Sequence, residues 1–459
     1  VVDGRPARIA VVGAGPAGIY VCDVLMKSGE DVSIDLLERL PAPFGLIRYG
    51  VAPDHPRIKG IITALHQVLD KPQVRLLGNV EYGIDVTLAD LQRHYDAIVF
   101  TTGAEKDRSI GIPGEDLDGS FGGADFVSWF DGHPDVPRTW PLQARQVAVV
   151  GAGNVGLDVS RMLSKTADEL LVTEIPANVF EGLASSPVEE VHVFARRGPA
   201  QAKFTPLELR ELDHSPNVEV IVAPEDIEYD AGSVAAINAD NQTKLVVREL
   251  ERYAMRTAEH GLGERPRKLF LHFFENPVEI TGSEGQVTGF RTERTEYTGD
   301  GNVRGTGVFH DWPVQAVYRC VGYRSLPLED LPWDADGHVV PHSVGRVQVD
   351  GAHLPGVYVN GWVKRGPVGL IGHTKGDAIE TVKSLLEDLP SGPVAAEPSP
   401  DAVTALLDDR GVRWTTWDGW YRLDGHEKGL GEPEGRARIK VVDRETMTAV
   451  SRDEQPVAV

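Results

Sequence analysis

Apolar positions run unbroken through Ile9-Ala10-Val11-Val12 and then stop at Gly13-Ala14-Gly15-Pro16-Ala17-Gly18. They resume with helical spacing from Ile19 to Met26, which predicts a strand, a glycine turn and a helix. A second apolar strand is predicted from Val32 to Leu37, ending in Glu38. Further along, an amphipathic helix is expected over 58–69, short strands at 74–77 and 80–82, and a buried strand from Tyr95 that ends near Gly103. The opening device then recurs. Gln146 to Val150 runs into Gly151-Ala152-Gly153-Asn154-Val155-Gly156, a helical pattern follows from Leu157 to Leu163, and the next strand is Val191 to Ala195. A long helix is expected between Asn241 and His260, with strands at 269–274 and 317–322. The last such pattern is a strand from Val357 into the turn Gly361 to Gly372, opening a helix through about Asp388 that carries Asp377 and Glu380.

Two segments break these periods. Pro41 to Pro56 is too rich in proline and glycine for regular structure and reads as a long ordered loop, a kind of segment that usually carries function. Pro390 to Pro400 reads as an exposed connector, and Trp414, Trp417, Trp420 and Tyr421 beyond it read as anchors that dock the tail.

Each glycine of the first turn has a separate task. Gly13 permits the tight turn, Gly15 lets a pyrophosphate approach bare backbone, and Gly18 lets helix and strand pack closely. The phosphates then meet the free N–H groups and dipole of the helix N-terminus. Glu38, about 20 residues further on, stands where an acid binds the ribose hydroxyls. The second turn is completed differently: its following strand ends in Arg196-Arg197. Two guanidinium groups suit a 2′-phosphate, with bidentate pairing and stacking on adenine available. The first turn therefore suits FAD and the second NADPH. A chain holding both most simply moves a hydride from nicotinamide to flavin, chemistry that the cofactors carry. The turn at 369–372 is the candidate helix N-terminus for the flavin's pyrimidine end.

Composition narrows the class. The chain has 459 residues, enough for two or three domains, with 41% hydrophobic and 25% charged residues, as in an ordinary globular protein. A net charge of −23 argues against binding nucleic acid or an anionic membrane. Only Cys22 and Cys320 are present, so a dithiol redox centre and a cysteine-bound metal are excluded, and a reducing, cytoplasmic setting is expected. The apolar run at 9–26 is cut by glycines, Pro16 and Asp23, so no membrane span is expected. Lys244, Arg248, Arg252 and Arg256 recur at i, i+4 spacing on one face of the 241–260 helix. Four like charges at that spacing mildly oppose helix formation, so a docking role for an acidic partner is expected there, with Arg210 beside it.

These motifs together resemble the NADPH–ferredoxin (adrenodoxin) reductases of mitochondria and actinobacteria over essentially the whole chain. The carrying residues are the two glycine turns, Pro43 to Pro56, Ile112 to Asp116, Ala195 to Pro199, Leu207 to Glu211 and Gly361 to Gly372. The resemblance implies an α/β fold of two Rossmann-like, glutathione-reductase-like domains, with the NADP domain inserted into a discontinuous FAD domain. The boundaries expected are 1–106 and 324–459 for FAD, the latter including the tail, and 107–323 for NADP. It implies FAD contacts at Gly13, Gly15, Ala17, Gly18, Glu38, Leu46, Tyr82, Trp362, Gly369, Leu370 and Ile371. For NADP it implies Arg108, Ala152, Gly153, Asn154, Val155, Arg196, Arg197 and Glu208, with Gly369 close to both cofactors. His55 and Glu211 are the pair expected near the nicotinamide, with no metal. The implied activity passes single electrons from the flavin to an iron–sulfur ferredoxin, supplying for example cytochrome P450 systems. A flavin monooxygenase, or an electron-entry module of a larger complex, is the alternative, and a missing N-terminal module stays open.

Overall fold

The computed structural model describes residues 2–55, 59–369 and 371–455, without the side chains of Ile371 and Gly372. The chain forms two compact units: Val1–Lys106 with Asp131–Pro134 and Tyr323–Val459, and Asp107–Phe130 with Asp135–Gly322.

The first unit is built on a seven-stranded sheet. Its order is His342–Ser343, Arg346–Val349, Ala352–Val359, Ala97–Phe100, Ala7–Val12, Val32–Glu38, Val74–Gly78. The strands from 352–359 to 74–78 pair in parallel, and the two at the other edge are antiparallel. Ala7–Val12 is buried at every position, as expected of a central strand covered on both faces. The helices Pro16–Lys27 and Ile371–Asp388 pack against one another. Ile19, Val21, Cys22 and Leu25 from the first of these enter the core with Ala378, Val382 and Leu385 from the second.

Of the expected strands, 80–82 does not form. Tyr82 makes a single bridge to Val86, because Asn79 turns into a left-handed conformation (φ 55°) and Asp85 receives the N–H of Glu81 at 2.7 Å. The 41–56 loop holds one helical turn, Leu46–Tyr49. The aromatic tail docks as expected: Trp417 and Tyr421 donate to Asp70 at 2.8 and 2.7 Å, and the Trp420 indole donates to His66 at 3.2 Å.

The second unit carries a six-stranded parallel sheet. Its order is Ser120–Gly122, Ala316–Arg319, Gln146–Val150, Glu190–Phe194, Arg267–His272, Val218–Val222. A three-stranded antiparallel meander, Glu275–Ser283, Gln286–Tyr297 and Val303–Trp312, is built onto it. Phe290, Trp312 and Val314 pack with Ala148, Val150 and Phe194 to join the two layers. Among the described residues no helix is long and apolar enough to cross a membrane.

Two glycine turns with opposite closures

Both helices that follow the glycine turns begin without a side-chain cap: Gly15 precedes Pro16–Lys27, and Gly153 precedes Asn154–Ser164. Six other helices are capped by Thr87, Thr205, Asp230, Asp240, Thr416 and Asp443, while Ile62–Leu69, Ala177–Ala184 and Pro400–Asp409 also lack a side-chain cap. An uncapped first turn leaves backbone N–H groups for an anion.

In the first turn Gly13 has φ 112°, and an added Cβ would lie 2.7 Å from the Thr101 carbonyl oxygen. A Cβ on Gly18 would lie 2.0 Å from the Gly13 oxygen. Neither position tolerates a side chain. Glu38 is held beneath the turn, with Oε2 accepting the Ala14 N–H at 2.9 Å and Oε1 accepting that of Leu40 at 3.1 Å. Burial pushes its carboxyl up, against the pull of the Ala14 N–H. Each oxygen keeps a lone pair, which is the acceptor set that ribose hydroxyls require.

The described part of the 43–56 loop, through His55, lies against this turn, and Pro56 lies outside the described residues. Phe44 donates its N–H to Ala14 at 2.8 Å, and a Cβ on Gly45 would sit 3.0 Å from the Gly15 Cα. The loop is pinned from the tail: the Arg48 guanidinium pairs, fully buried, with Glu427, which also takes Arg438 at 3.1 Å. Leu46 opens the helical turn, and Tyr82 meets Phe100 edge-on at 4.8 Å while donating to the Glu329 carbonyl at 2.5 Å.

The 357–388 segment closes the other side. Asn360 donates to the Ala17 carbonyl at 3.3 Å, and a Cβ on Gly361 would stand 2.7 Å from that of Ala17. Asp377 accepts the Gly361 N–H at 2.6 Å and pairs with Lys364 and Arg365, while Lys364 also reaches Glu380 at 2.8 Å. The two acids expected on that helix therefore lock the turn that carries Trp362. Gly369 has φ 94°. Leu370 lies outside the described residues, as does the side chain of Ile371. His55 is buried at the end of the loop, its N–H on the Ala52 carbonyl at 3.1 Å.

The second turn repeats the backbone. Gly151 has φ 132°, and Cβ atoms on Gly151 and Gly156 would lie 2.1 Å from the Cys320 oxygen and 2.4 Å from the Gly151 oxygen. Gly153 has open space where a Cβ would be. Ala152 accepts the Lys203 N–H at 2.8 Å, and the Asn154 side chain accepts that of Thr205 at 2.9 Å. Val155 follows in the helix's first turn.

Arg196 is exposed and Arg197 half-buried, but their backbone is clamped. Thr295 Oγ1 donates to the Arg196 carbonyl at 2.8 Å, and Phe274 donates its N–H to that of Arg197 at 3.2 Å. The two arginines line a groove of about 410 Å³. Arg108 is exposed, its N–H on the Gly322 carbonyl at 3.0 Å. Glu208 is buried and pairs with Arg161 at 3.3 Å. Glu211 ends the same helix, Pro206–Glu211. His55 belongs to the first unit and Glu208 and Glu211 to the second.

Two members of the basic stripe are ion-paired. Arg256 pairs with Asp213 at 2.7 Å and lies 3.8 Å from Glu219, and Arg252 pairs with Asp213 at 3.1 Å and with Glu249. Acids from outside the helix relieve the repulsion, so the like charges do not by themselves require a partner. Lys244, Arg248 and Arg210 are exposed.

Two dinucleotide turns on two parallel sheets, one closed by an acid and one by arginines, define a pyridine-nucleotide-linked oxidoreductase. No family model matches the chain. The NADPH-ferredoxin reductase FprA of Mycobacterium leprae is 38% identical over 447 residues, covering 95% of this chain and 96% of the relative. The mitochondrial NADPH:adrenodoxin oxidoreductase of Bos taurus is 36% identical over 460 residues, covering 96% and 91%. The solved structure of Mycobacterium tuberculosis FprA in complex with NADPH matches with a TM-score of 0.88 at 37% identity, covering 98% of this chain and all of that one. The chain belongs to the NADPH–ferredoxin and adrenodoxin reductase family.

Proposed function

We propose that this chain is an FAD-dependent NADPH:ferredoxin oxidoreductase, with FAD held by the first unit and NADPH by the second. The observation that carries the reading is the opposite closure of two equivalent turns, Glu38 in one and Arg196 with Arg197 in the other. FAD bound there would supply the acceptor for a nicotinamide hydride and the store from which single electrons would pass to an iron–sulfur protein. The chain's own residues bind and orient. Gly15 and Gly153 present bare N–H groups to pyrophosphate, Glu38 accepts the flavin-side ribose hydroxyls, and Arg196 and Arg197 pair with the 2′-phosphate. Leu46, Tyr82, Trp362, Gly369, Leu370 and Ile371 would hold the flavin. Arg108, Ala152, Asn154, Val155 and Glu208 serve the NADPH side, and His55 and Glu211 act near the nicotinamide.

The chain meets ferredoxin on exposed basic groups, of which Lys244, Arg248 and Arg210 carry more than the paired Arg252 and Arg256. A cytoplasmic setting is supported by the two free, buried cysteines.

The test is coupled turnover. The purified protein should be yellow and oxidise NADPH with one ferredoxin reduced per electron. A colourless protein overturns the flavin assignment. NADPH oxidation with stoichiometric hydroxylation of a small molecule and no ferredoxin reduction replaces the reading with a monooxygenase.

A further inference from the structure

The groove at Arg196 and Arg197 has a second wall, supplied by the meander through Asn276, Glu293, Thr295, Asn302 and Val303. Successive side chains of a strand point to opposite faces, so Glu293 and Thr295 share one face of Gln286–Tyr297. That face is turned to the arginines, because the Thr295 hydroxyl donates to the Arg196 carbonyl at 2.8 Å. Glu296 and Arg304, paired at 2.8 Å, lie on the other face. Glu293 is the one acid among the described residues that line the groove. Its carboxylate has a built seat. Gly305 stands opposite Thr295 in the register, and a Cβ there would lie 2.3 Å from Glu293 Oε1 and 2.7 Å from Oε2. The carboxylate thus fills the space of a missing side chain, on the Thr295 face. Oε1 accepts the Gly307 N–H at 2.9 Å, inside the register shift of the Val303–Trp312 strand. Among the described residues Oε2 accepts no hydrogen bond. A negative charge is therefore fixed in a groove that two guanidinium groups otherwise make attractive to anions.

We propose that Glu293 is a specificity-determining residue that limits the groove's hold on the 2′-phosphate and so keeps NADPH exchangeable. This rests on the reading of the second turn as the NADPH site. A phosphate in this groove meets two attractive charges and one repulsive charge, and the repulsion scales with the phosphate's own charge. A nucleotide without the 2′-phosphate escapes that repulsion. Glu293 therefore acts on the ratio of the two affinities, lowering the preference for the phosphorylated nucleotide in favour of release, and its effect weakens with salt.

The test is calorimetric binding of 2′,5′-ADP and 5′-AMP to the flavin-loaded protein at low salt, which reads the groove without turnover. Glu293→Gln removes the charge and keeps an oxygen for the Gly307 N–H. It should tighten 2′,5′-ADP about fivefold, the scale of one screened charge acting on a dianion within a Debye length, with 5′-AMP affinity held. The gain should shrink at high salt. Glu296→Gln, which removes an acid from the opposite face of the same strand, should bind as the unmodified protein does. If Glu293→Gln binds 2′,5′-ADP no more tightly while Arg196→Ala weakens it, the proposal fails and the NADPH reading stands. If 5′-AMP tightens equally, or Glu296→Gln gains as much, the effect is diffuse charge and the proposal fails. If Arg196→Ala also binds normally, the NADPH reading itself fails.

Discussion

In the first unit the strand after the glycine turn ends in Glu38, a half-buried carboxylate that already takes two backbone N–H groups. In the second it ends in Arg196 and Arg197, which line an open groove and whose carbonyls are clamped by Thr295 and Phe274. The glycines are interchangeable between the two sites; the closures are not. The first turn is overlaid by the described part of the 43–56 loop, pinned from the distant tail by Glu427, and by the 361–365 segment, pinned by Asp377 of the helix that follows it. Such a site suits a cofactor that stays. The second suits one that comes and goes, its affinity set by charge at the rim.

The sharpest break of this comparison is steric. Gly18→Val and Gly156→Val place the same side chain against the same carbonyl in the two turns, each costing more than about 3 kcal/mol locally. The first variant should purify without flavin. The second should keep its flavin but fail to be reduced by NADPH, and equal flavin loss in both would erase the distinction. Next, Arg196→Ala with Arg197→Ala should reduce the NADPH-over-NADH ratio of kcat/KM about 100-fold, two charge-assisted contacts' worth.

Acid should separate the units too. His272 is held down to about 3 by burial, and burial also lowers its hydrogen-bonded neighbour His192, 2.9 Å away. Their folded values lie below the unfolded ones, so the unfolded chain binds more protons. Stability is then lost as pH falls below about 6.5 toward 3. His272→Phe should flatten that loss by about 2 kcal/mol in melts followed by tryptophan fluorescence, since Trp312 lies 4.5 Å from the ring. An unchanged acid limb would contradict it. The smallest effect concerns docking. Lys244→Glu with Arg248→Glu should raise the ferredoxin KM about threefold at low salt, and a matching rise for ferricyanide would remove the docking role.

Both turns, both closures and the strands around them were legible because a strand–glycine–helix unit is local and each closing residue lies on the next strand. What distant segments decide was not. On Asn241–His260 the sequence offers Glu249 and Glu251 as local balance, but not Asp213 and Glu219, which reach Arg256 from 43 and 37 positions away. The 80–82 strand fails because Asn79 adopts a left-handed turn that apolar patterning does not encode. The groove's second wall was missed for a related reason: Thr295, Asn302 and Val303 belong to a meander about a hundred residues after Arg196. Glycines 305 and 307 inside an alternating strand were the available signal.

The central claim is that the first turn stores the electrons and the second selects the nucleotide that supplies them. Anaerobic stopped-flow reduction of the yellow protein by NADPH and by NADH tests it most directly. The account predicts that the flavin's visible band bleaches with both but much faster with NADPH, and that the difference vanishes when Arg196 and Arg197 are replaced by alanine. Equal rates in the unmodified protein, or a preference that survives the double replacement, would contradict it.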